Sequence, residues 1–207
     1  MFFSFDGIDG VGKSTQLRLL CEWLGSQGID VVVCRDPGST PLGEEVRRIL
    51  LASHDETPIG PRSEMLLYMA ARAQLVDEVI RPALSAGRTV VSDRYLLANV
   101  VYQGYGGGLD LAVVRQVGAA AVDGVTPDCT FLLDMDPAAA LARVGRQLDR
   151  VESRGDEYRQ RLRAGFLAEA EMMCSAVHVI DAARSVDVVQ DDLRRIASEV
   201  LAKRAGG

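Results

Sequence analysis

The sequence predicts an α/β fold built on a mainly parallel sheet with helices covering both faces. Three observations carry this reading. Short apolar runs of strand length alternate with amphipathic helical patterns, the first run feeds straight into a glycine-rich loop, and charged or polar motifs stand at the carboxyl ends of the runs. Strands buried on both faces read as continuous apolar stretches, and in open parallel sheets ligands gather beyond the strands' carboxyl ends.

In chain order, strands are expected at Met1 to Phe5, Asp30 to Cys34, Thr89 to Ser92, Thr130 to Met135 and Val177 to Ile180. Helical periodicity fills the intervals: Lys13 to Ser26, Leu42 to Ala52, Arg62 to Ala86, Leu109 to Val122, Pro137 to Arg146, Glu157 to Ser175 and Val186 to Lys203. Gly104 to Gly108 reads as a turn between helices, because clustered glycines punctuate periodic segments. The chain carries no internal repeat or low-complexity tract. With 207 residues, 48% of them hydrophobic and 25% charged, it suits one substantial core, so a single domain over 1–207 is expected.

A formal charge of -6 argues against a nucleic-acid backbone as the main partner, since polyphosphate binding needs a basic surface. A small phosphorylated ligand needs only a local positive pocket. No apolar run approaches membrane-spanning length, and nothing before the first strand has the pattern of a targeting segment. Cys21, Cys34, Cys129 and Cys174 lack paired spacing and sit in apolar stretches, where cysteine behaves as a small hydrophobe. A reducing cytoplasmic setting, with no membrane or nucleic-acid partner, is therefore expected.

Gly7-Ile8-Asp9-Gly10-Val11-Gly12-Lys13-Ser14 fits the pattern G-x-x-x-x-G-K-[ST] between an expected strand and an expected helix. Glycines let consecutive backbone N–H groups turn toward a phosphate, the helix start adds partial positive charge, and a lysine places a point charge between phosphates. The segment Gly7 to Thr15 is thus assigned to the phosphates of a nucleotide, through Gly7, Ile8, Asp9, Gly10, Val11, Gly12, Lys13, Ser14 and Thr15, with Ser14 a ligand for Mg²⁺. Arg88 to Tyr95 is a buried strand that ends in Asp93 and Arg94, an acid suited to the metal's water shell and a base suited to a phosphate. A surface ion pair at a helix start is the plainer alternative, worth little to stability. His54 and His178 have no Ser or Cys partner in a triad and read as structural.

Together with Arg35-Asp36-Pro37-Gly38-Ser39-Thr40-Pro41-Leu42-Gly43 after the second strand, these motifs resemble those of thymidylate kinases, in order, from Phe5 to about Leu193. The counterparts are Gly7 to Thr15, Arg35 to Thr40, Tyr68 with Arg72, Asp93 to Tyr95, Leu148 to Glu152, and Asp181-Ala182. The resemblance implies a P-loop NTPase fold with five parallel strands and a helical lid near 143–156. It also implies ATP and Mg²⁺ as cofactors, dTMP as phosphoryl acceptor, and a homodimer for which the long helix from Arg62 offers a surface. Tyr68 and Arg72, four apart on one helix face, would stack on a base and bond a pyrimidine oxygen. Asn99, Tyr102 and Gln103 would line base and sugar, with Tyr102 crowding the 2′ position, while Asp9 meets the 3′-hydroxyl. Arg47, or its neighbour Arg48, would grip the acceptor phosphate together with Arg94.

The family pattern is departed from at Asp36 (usually Glu), Ser39 (Gly), Tyr68 (Phe), Ala71 (Asp) and Asn99 (often Ser). The shorter acid at 36 is expected to reach its partner through water, and Ala71 leaves the role of an acid unfilled. Gly10 and Val11 stand where some family members carry a catalytic arginine, so the lid has to supply it. Arg143, Arg146, Arg150 and Arg154 recur at helical spacing, and the family-like run Leu148 to Glu152 points to Arg150, with Arg146 and Arg154 as alternatives. A solvated basic helix face is the plainer account of that spacing. Two other functions stay open on sequence: a related kinase with another pyrimidine deoxynucleotide or a deoxynucleoside as acceptor, and a nucleotide-binding module without catalysis.

Overall fold

The computed structural model describes residues 1–51, 58–145 and 154–205. Five strands form one wholly parallel sheet: β1 (Phe2–Asp6), β2 (Val31–Arg35), β3 (Thr89–Asp93), β4 (Cys129–Asp134) and β5 (Val177–Asp181), in the order β2-β3-β1-β4-β5. Order reverses at β1, with β3 on one side and β4 on the other. That reversal opens a crevice at the carboxyl end of the central strand, where the glycine loop emerges.

Alternation along β1 covers both faces of the sheet. Phe3 and Phe5 pack with Leu17, Leu20 and Leu24 of α1 (Lys13–Ser26) and with Leu193 and Ala197 of α9 (Val186–Ala205). Phe2 points to the other face, where Leu75, Val90 and Tyr95 form a second cluster. The remaining helices are α2 (Pro41–Leu51), α3 (Pro61–Leu75), α4 (Arg81–Ser85), α5 (Leu96–Asn99), α6 (Leu111–Val122), α7 (Pro137–Ala142) and α8 (Asp156–Met172).

Three expectations need correction. The helix expected from Arg62 to Ala86 is two α-helices joined by a π-helical turn at Val76–Ile80. Pro82 accounts for this: it has no N–H to donate and its ring crowds the preceding carbonyls, so the wider turn ahead of it absorbs the mismatch. The segment after Tyr95 is helical where no helix is expected, as α5 followed by a π-helical stretch over Val100–Gly106. Gly104 and Gly106 lie inside it, because added Cβ atoms would strike Leu111 and Tyr158 respectively; they are close-packing sites and the turn falls at Gly107 and Gly108. The helix from Pro137 stops at Ala142 rather than continuing to Arg146, and Arg143 occupies its C-cap.

Candidate active site

Each element delivers one part of the site to the same sheet edge. Gly7, Gly10 and Gly12 all have positive φ, at 134°, 88° and 94°, as the loop wraps from β1 into α1. Gly10 is fixed by space as well as by torsion: a Cβ there would collide with the backbone carbonyl of Ala140. Lys13 opens α1 and folds back over the loop, its Nζ donating to the carbonyls of Gly7 (3.0 Å) and Ile8 (2.8 Å). Burial and the nearby Arg94 push the Lys13 ammonium below its usual pKa, against the pull of Asp9 and Asp93. Ser14 and Thr15 are exposed on the first turn of α1.

From β3, Arg94 adopts a left-handed backbone with φ 68°, an unusual state for a bulky residue and one tolerated where surrounding contacts over-determine it. Those contacts are present. Nη2 donates to Asp9 Oδ1 at 2.6 Å, Nη1 donates to the Gly7 carbonyl at 3.1 Å, and the guanidinium stacks 4.9 Å from the centre of the Tyr102 ring. The Tyr102 hydroxyl donates to the other Asp9 oxygen at 3.2 Å, and Lys13 Nζ lies 3.5 Å from Asp9 Oδ1. Burial alone would raise the Asp9 pKa, but Arg94, Lys13 and Tyr102 outweigh it and hold the carboxyl well below the usual carboxylate range.

Asp9, Lys13, Ser14, Thr15 and Arg94 line a cleft of about 660 Å³. Six cations face it, Lys13, Arg35, Arg47, Arg94, Arg143 and Arg184, against the three acids Asp9, Asp36 and Asp93. A chain of net charge -6 thus concentrates positive charge in one place, which suits a polyphosphate of ordinary metabolite size. Of the two candidate arginines on α2, Arg47 lines the cleft and donates to the Pro37 carbonyl at 3.1 Å, whereas Arg48 is largely exposed and pairs with Glu45. At the far end, Arg143 donates to the carbonyl of Ala182, joining the C-cap of α7 to the turn after β5.

Beside the cleft lies a second cluster made by α3 and the helical segment after Tyr95. Tyr68 is half-buried against Val46, Leu50 and Ala71. Arg72 is 1% exposed and turns inward: Nε donates to Asp36 Oδ2 at 2.5 Å, Nη2 to the Tyr95 carbonyl at 3.3 Å, and the guanidinium stacks 5.4 Å from the Tyr95 ring centre. The Asp36 contact is direct, so the water expected between a short acid and its partner is not needed. Asn99 and Gln103 are also buried and bonded to each other. Ser39, standing where the family pattern has Gly, takes a positive φ of 63°; its N–H donates to Glu44 and its hydroxyl accepts from the Arg35 N–H. The peptide bond Asp36-Pro37 is cis.

Sequence reading missed Asp6 and Glu64. Asp6 ends β1, is wholly buried among Arg94, Lys13 and Asp93, and neither of its carboxylate oxygens has a hydrogen-bond partner among the described residues. An acid closing an otherwise apolar strand was its available signal. Glu64 had none, because its importance comes from contacts with Gln103 and Arg154, 39 and 90 residues away. Arg154 stands on Glu64 and Tyr158 and is not among the residues that line the cleft, and with α7 ending at Ala142 the helical spacing from Arg143 does not place the two on one helix. Arg146, Arg150, the run Leu148 to Glu152 and His54 lie outside the described residues.

The donor set also bears on Mg²⁺. Asp93 Oδ1 is buried without a partner among the described residues, as are both Asp6 oxygens, and Ser14, exposed at the start of α1, lines the same cleft as Asp93. No group of three or more His, Cys, Asp or Glu forms a protein-only metal site among the described residues. Hard oxygen donors in small number fit Mg²⁺, which keeps waters and shares its shell with substrate phosphates.

A family model described as thymidylate kinase matches residues 5–193. A thymidylate kinase of Symbiobacterium thermophilum is 44% identical over an alignment covering 100% of this chain and 97% of the relative. One from Exiguobacterium sp. is 46% identical, covering 93% and 92%. The crystal structure of thymidylate kinase from Ehrlichia chaffeensis superposes with a TM-score of 0.77 at 32% identity, covering 95% of this chain and 98% of that one.

Proposed function

This chain belongs to the thymidylate kinase family, and we propose that its cleft moves the γ-phosphoryl of ATP onto dTMP, giving ADP and dTDP. The observation that carries the reading is that the glycine loop with Lys13, Arg94 and Arg47 lines one cleft, positive charge for two phosphorylated ligands at once. A nucleoside rather than a nucleotide acceptor would leave two arginines without a phosphate to hold.

The acceptor's second phosphate pKa is near 6, so at neutral pH its attacking oxygen is already largely ionised and no strong general base is required. The chain's part is positioning and charge neutralisation. Backbone N–H groups of the loop from Gly7 to Thr15, with Lys13, hold the ATP phosphates. Arg47 and Arg94 hold the acceptor phosphate in line. The catalytic arginine for the transferring group is assigned to Arg150 on the family resemblance. Ser14 and Asp93 would hold Mg²⁺, directly and through its water shell, and when bound the ion neutralises charge on the β- and γ-phosphates. Asp9, kept ionised by Arg94, accepts from the 3′-hydroxyl, and Tyr102 crowds the 2′ position against ribonucleotides. Tyr68 stacks on thymine, with Arg72, Asn99 and Gln103 around its edge. The inward bonds of Arg72 leave its base contact to whichever guanidinium hydrogens remain.

A homodimer is part of the same reading. Ile49, Leu66 and Val113 expose apolar side chains on α2, α3 and α6, with α3 packed against each of the other two. No helix among the described residues is long and apolar enough to cross a membrane, and the four cysteines are unpaired, which suits the cytoplasm.

The reaction is tested by following the phosphorus signals of an ATP, Mg²⁺ and dTMP mixture. Equal growth of ADP and dTDP is expected. Release of inorganic phosphate without dTDP would contradict the assignment.

A further inference from the structure

Gln16 on α1 and Gln190 on α9 are 3% and 2% exposed, so two amide side chains lie buried between the helix that leaves the phosphate loop and the helix that follows β5. Gln16 Nε2 donates to the Val186 carbonyl at 3.0 Å. Gln190 Nε2 donates to Gln16 twice, to its backbone carbonyl and to its Oε1, both at 2.7 Å. Gln190 Oε1 is buried with no hydrogen-bond partner among the described residues.

Chemistry fixes how the pair is oriented. A backbone carbonyl can only accept, so Gln16 turns its NH₂ to Val186 and its oxygen to Gln190, and Gln190 answers with its own NH₂. A buried acceptor left without a donor is costly, and α1 and α9 already share one apolar cluster through Leu17, Leu20, Leu193 and Ala197. What the amides add to that contact is direction. They hold Val186, the first residue of α9, to the first turn of α1, the turn that Lys13 opens.

That register bears on the cleft, because Gln16, Val186 and Val189 line it together with the phosphate loop. The lining follows the order of the strands. Asp36, Arg47, Asp93 and Arg94 come from the β2 and β3 side of β1, and the loop stands at β1 itself. Val144, Ala182, Val186 and Val189 come from the β4 and β5 side and, with Val11 of the loop, are the apolar side chains of the lining. The charged side suits the acceptor phosphate, so the base and sugar of the donor fall on the apolar side.

We propose that Gln16 and Gln190 are positioning residues for the donor nucleotide: their amide strut sets the apolar wall of Val186 and Val189 at the separation from the phosphate loop that a nucleoside triphosphate spans. Gln190 acts through Gln16, and Gln16 acts through the Val186 carbonyl. The proposal rests on ATP as the donor and adds what matches the two ends of its site.

The test compares the affinity of the full chain, with Mg²⁺, for ATP and for inorganic tripolyphosphate, which engages the loop but has no base; KM and kcat for ATP are measured alongside. Gln190→Leu removes both donors to Gln16 at similar size. It is expected to weaken ATP about tenfold with tripolyphosphate held within about twofold, and to raise KM for ATP while kcat is largely kept, the pattern of lost uniform binding. A purely structural role would weaken both ligands together or neither, and either result overturns the proposal. Should Gln190→Leu not fold, the double variant Gln16→Leu/Gln190→Leu replaces the strut by an apolar pair with no stranded amide; the same loss of preference for ATP is expected, and a preserved preference overturns the proposal. A wild-type protein that binds ATP no more tightly than tripolyphosphate would contradict the placement of the donor's base and the proposal with it, whereas a wild-type preference that survives in both variants removes only the role of the two glutamines.

Discussion

Nε of Arg72 donates to Oδ2 of Asp36 at 2.5 Å, and both side chains are buried, joining the last turn of α3 to the loop that leaves β2. This contact accounts for the alanine beside it. Ala71 is fully buried against Val46 and Leu50, in an apolar seam between α2 and α3 with no place for a charge. Arg72 draws its acid from another element instead.

Breaking this pair is expected to be expensive. Arg72→Leu strands the Asp36 carboxylate in the core, and removing one partner of a buried ion pair typically costs about 3–5 kcal/mol. Urea unfolding should show that loss, and adding Asp36→Asn to Arg72→Leu should recover part of it. A loss below about 1 kcal/mol would mean that the pair contributes little to the native state.

The glycines of the phosphate loop separate torsion from space. Gly12→Ala meets open surroundings and bears only the strain of φ 94°, whereas Gly10→Ala bears φ 88° and also collides with the Ala140 carbonyl. Backbone strain of this kind costs of order 1–3 kcal/mol. Gly10→Ala should therefore lower the melting temperature more than Gly12→Ala, and ATP titration should show the greater loss of affinity for the same variant.

Asp6 gives a pH dependence whose sign can be worked out. Burial pushes its pKa from 3.8 up to about 8, with Asp93 adding to the rise and Arg94 and Lys13 opposing it. The folded state thus holds the proton more tightly than the unfolded chain. Its favourable contribution is complete below pH ~4 and is lost as pH climbs through the folded value near 8. Asp6→Asn keeps the neutral form at every pH. In chelator-treated, nucleotide-free protein, the melting temperature of Asp6→Asn relative to wild type should rise between pH 5 and pH 8.5, roughly the window over which the carboxyl would titrate. A constant difference would contradict the shift.

Arg150 is the arginine assigned to the transferring phosphoryl group. Arg150→Ala should lower kcat by about 10³-fold with little change in dTMP affinity, as expected for a group that acts mainly in the transition state. A variant that keeps most of its turnover would move the role to Arg146, since Arg154 is held by Glu64 and Tyr158.

What could be read from the sequence follows from how local the signal is. The phosphate loop was legible because Gly7 to Ser14 combines fixed spacing with a strand before it and a helix after it. The strands were legible because each is an apolar run flanked by polar residues. Gln103 could be nominated for the site, but its bond to Glu64 could not, since the two are 39 residues apart and nothing local in either helix announces the pairing. Arg72 was expected to face a base, and its inward pairing with Asp36 depends on where the loop after β2 comes to rest. The π-helical turn at Val76–Ile80 hides within a good helical pattern, with Pro82 as its one clue.

The central claim is the identity of the acceptor. It is tested most directly by ADP release from purified protein with ATP and Mg²⁺, comparing dTMP with dUMP, dCMP, dGMP, UMP and thymidine. The account predicts the highest kcat/KM for dTMP, with UMP disfavoured by Tyr102 and thymidine failing for want of the phosphate that Arg47 and Arg94 would hold. Equal or better turnover of another acceptor would contradict the thymine site while leaving phosphoryl transfer from the glycine loop intact.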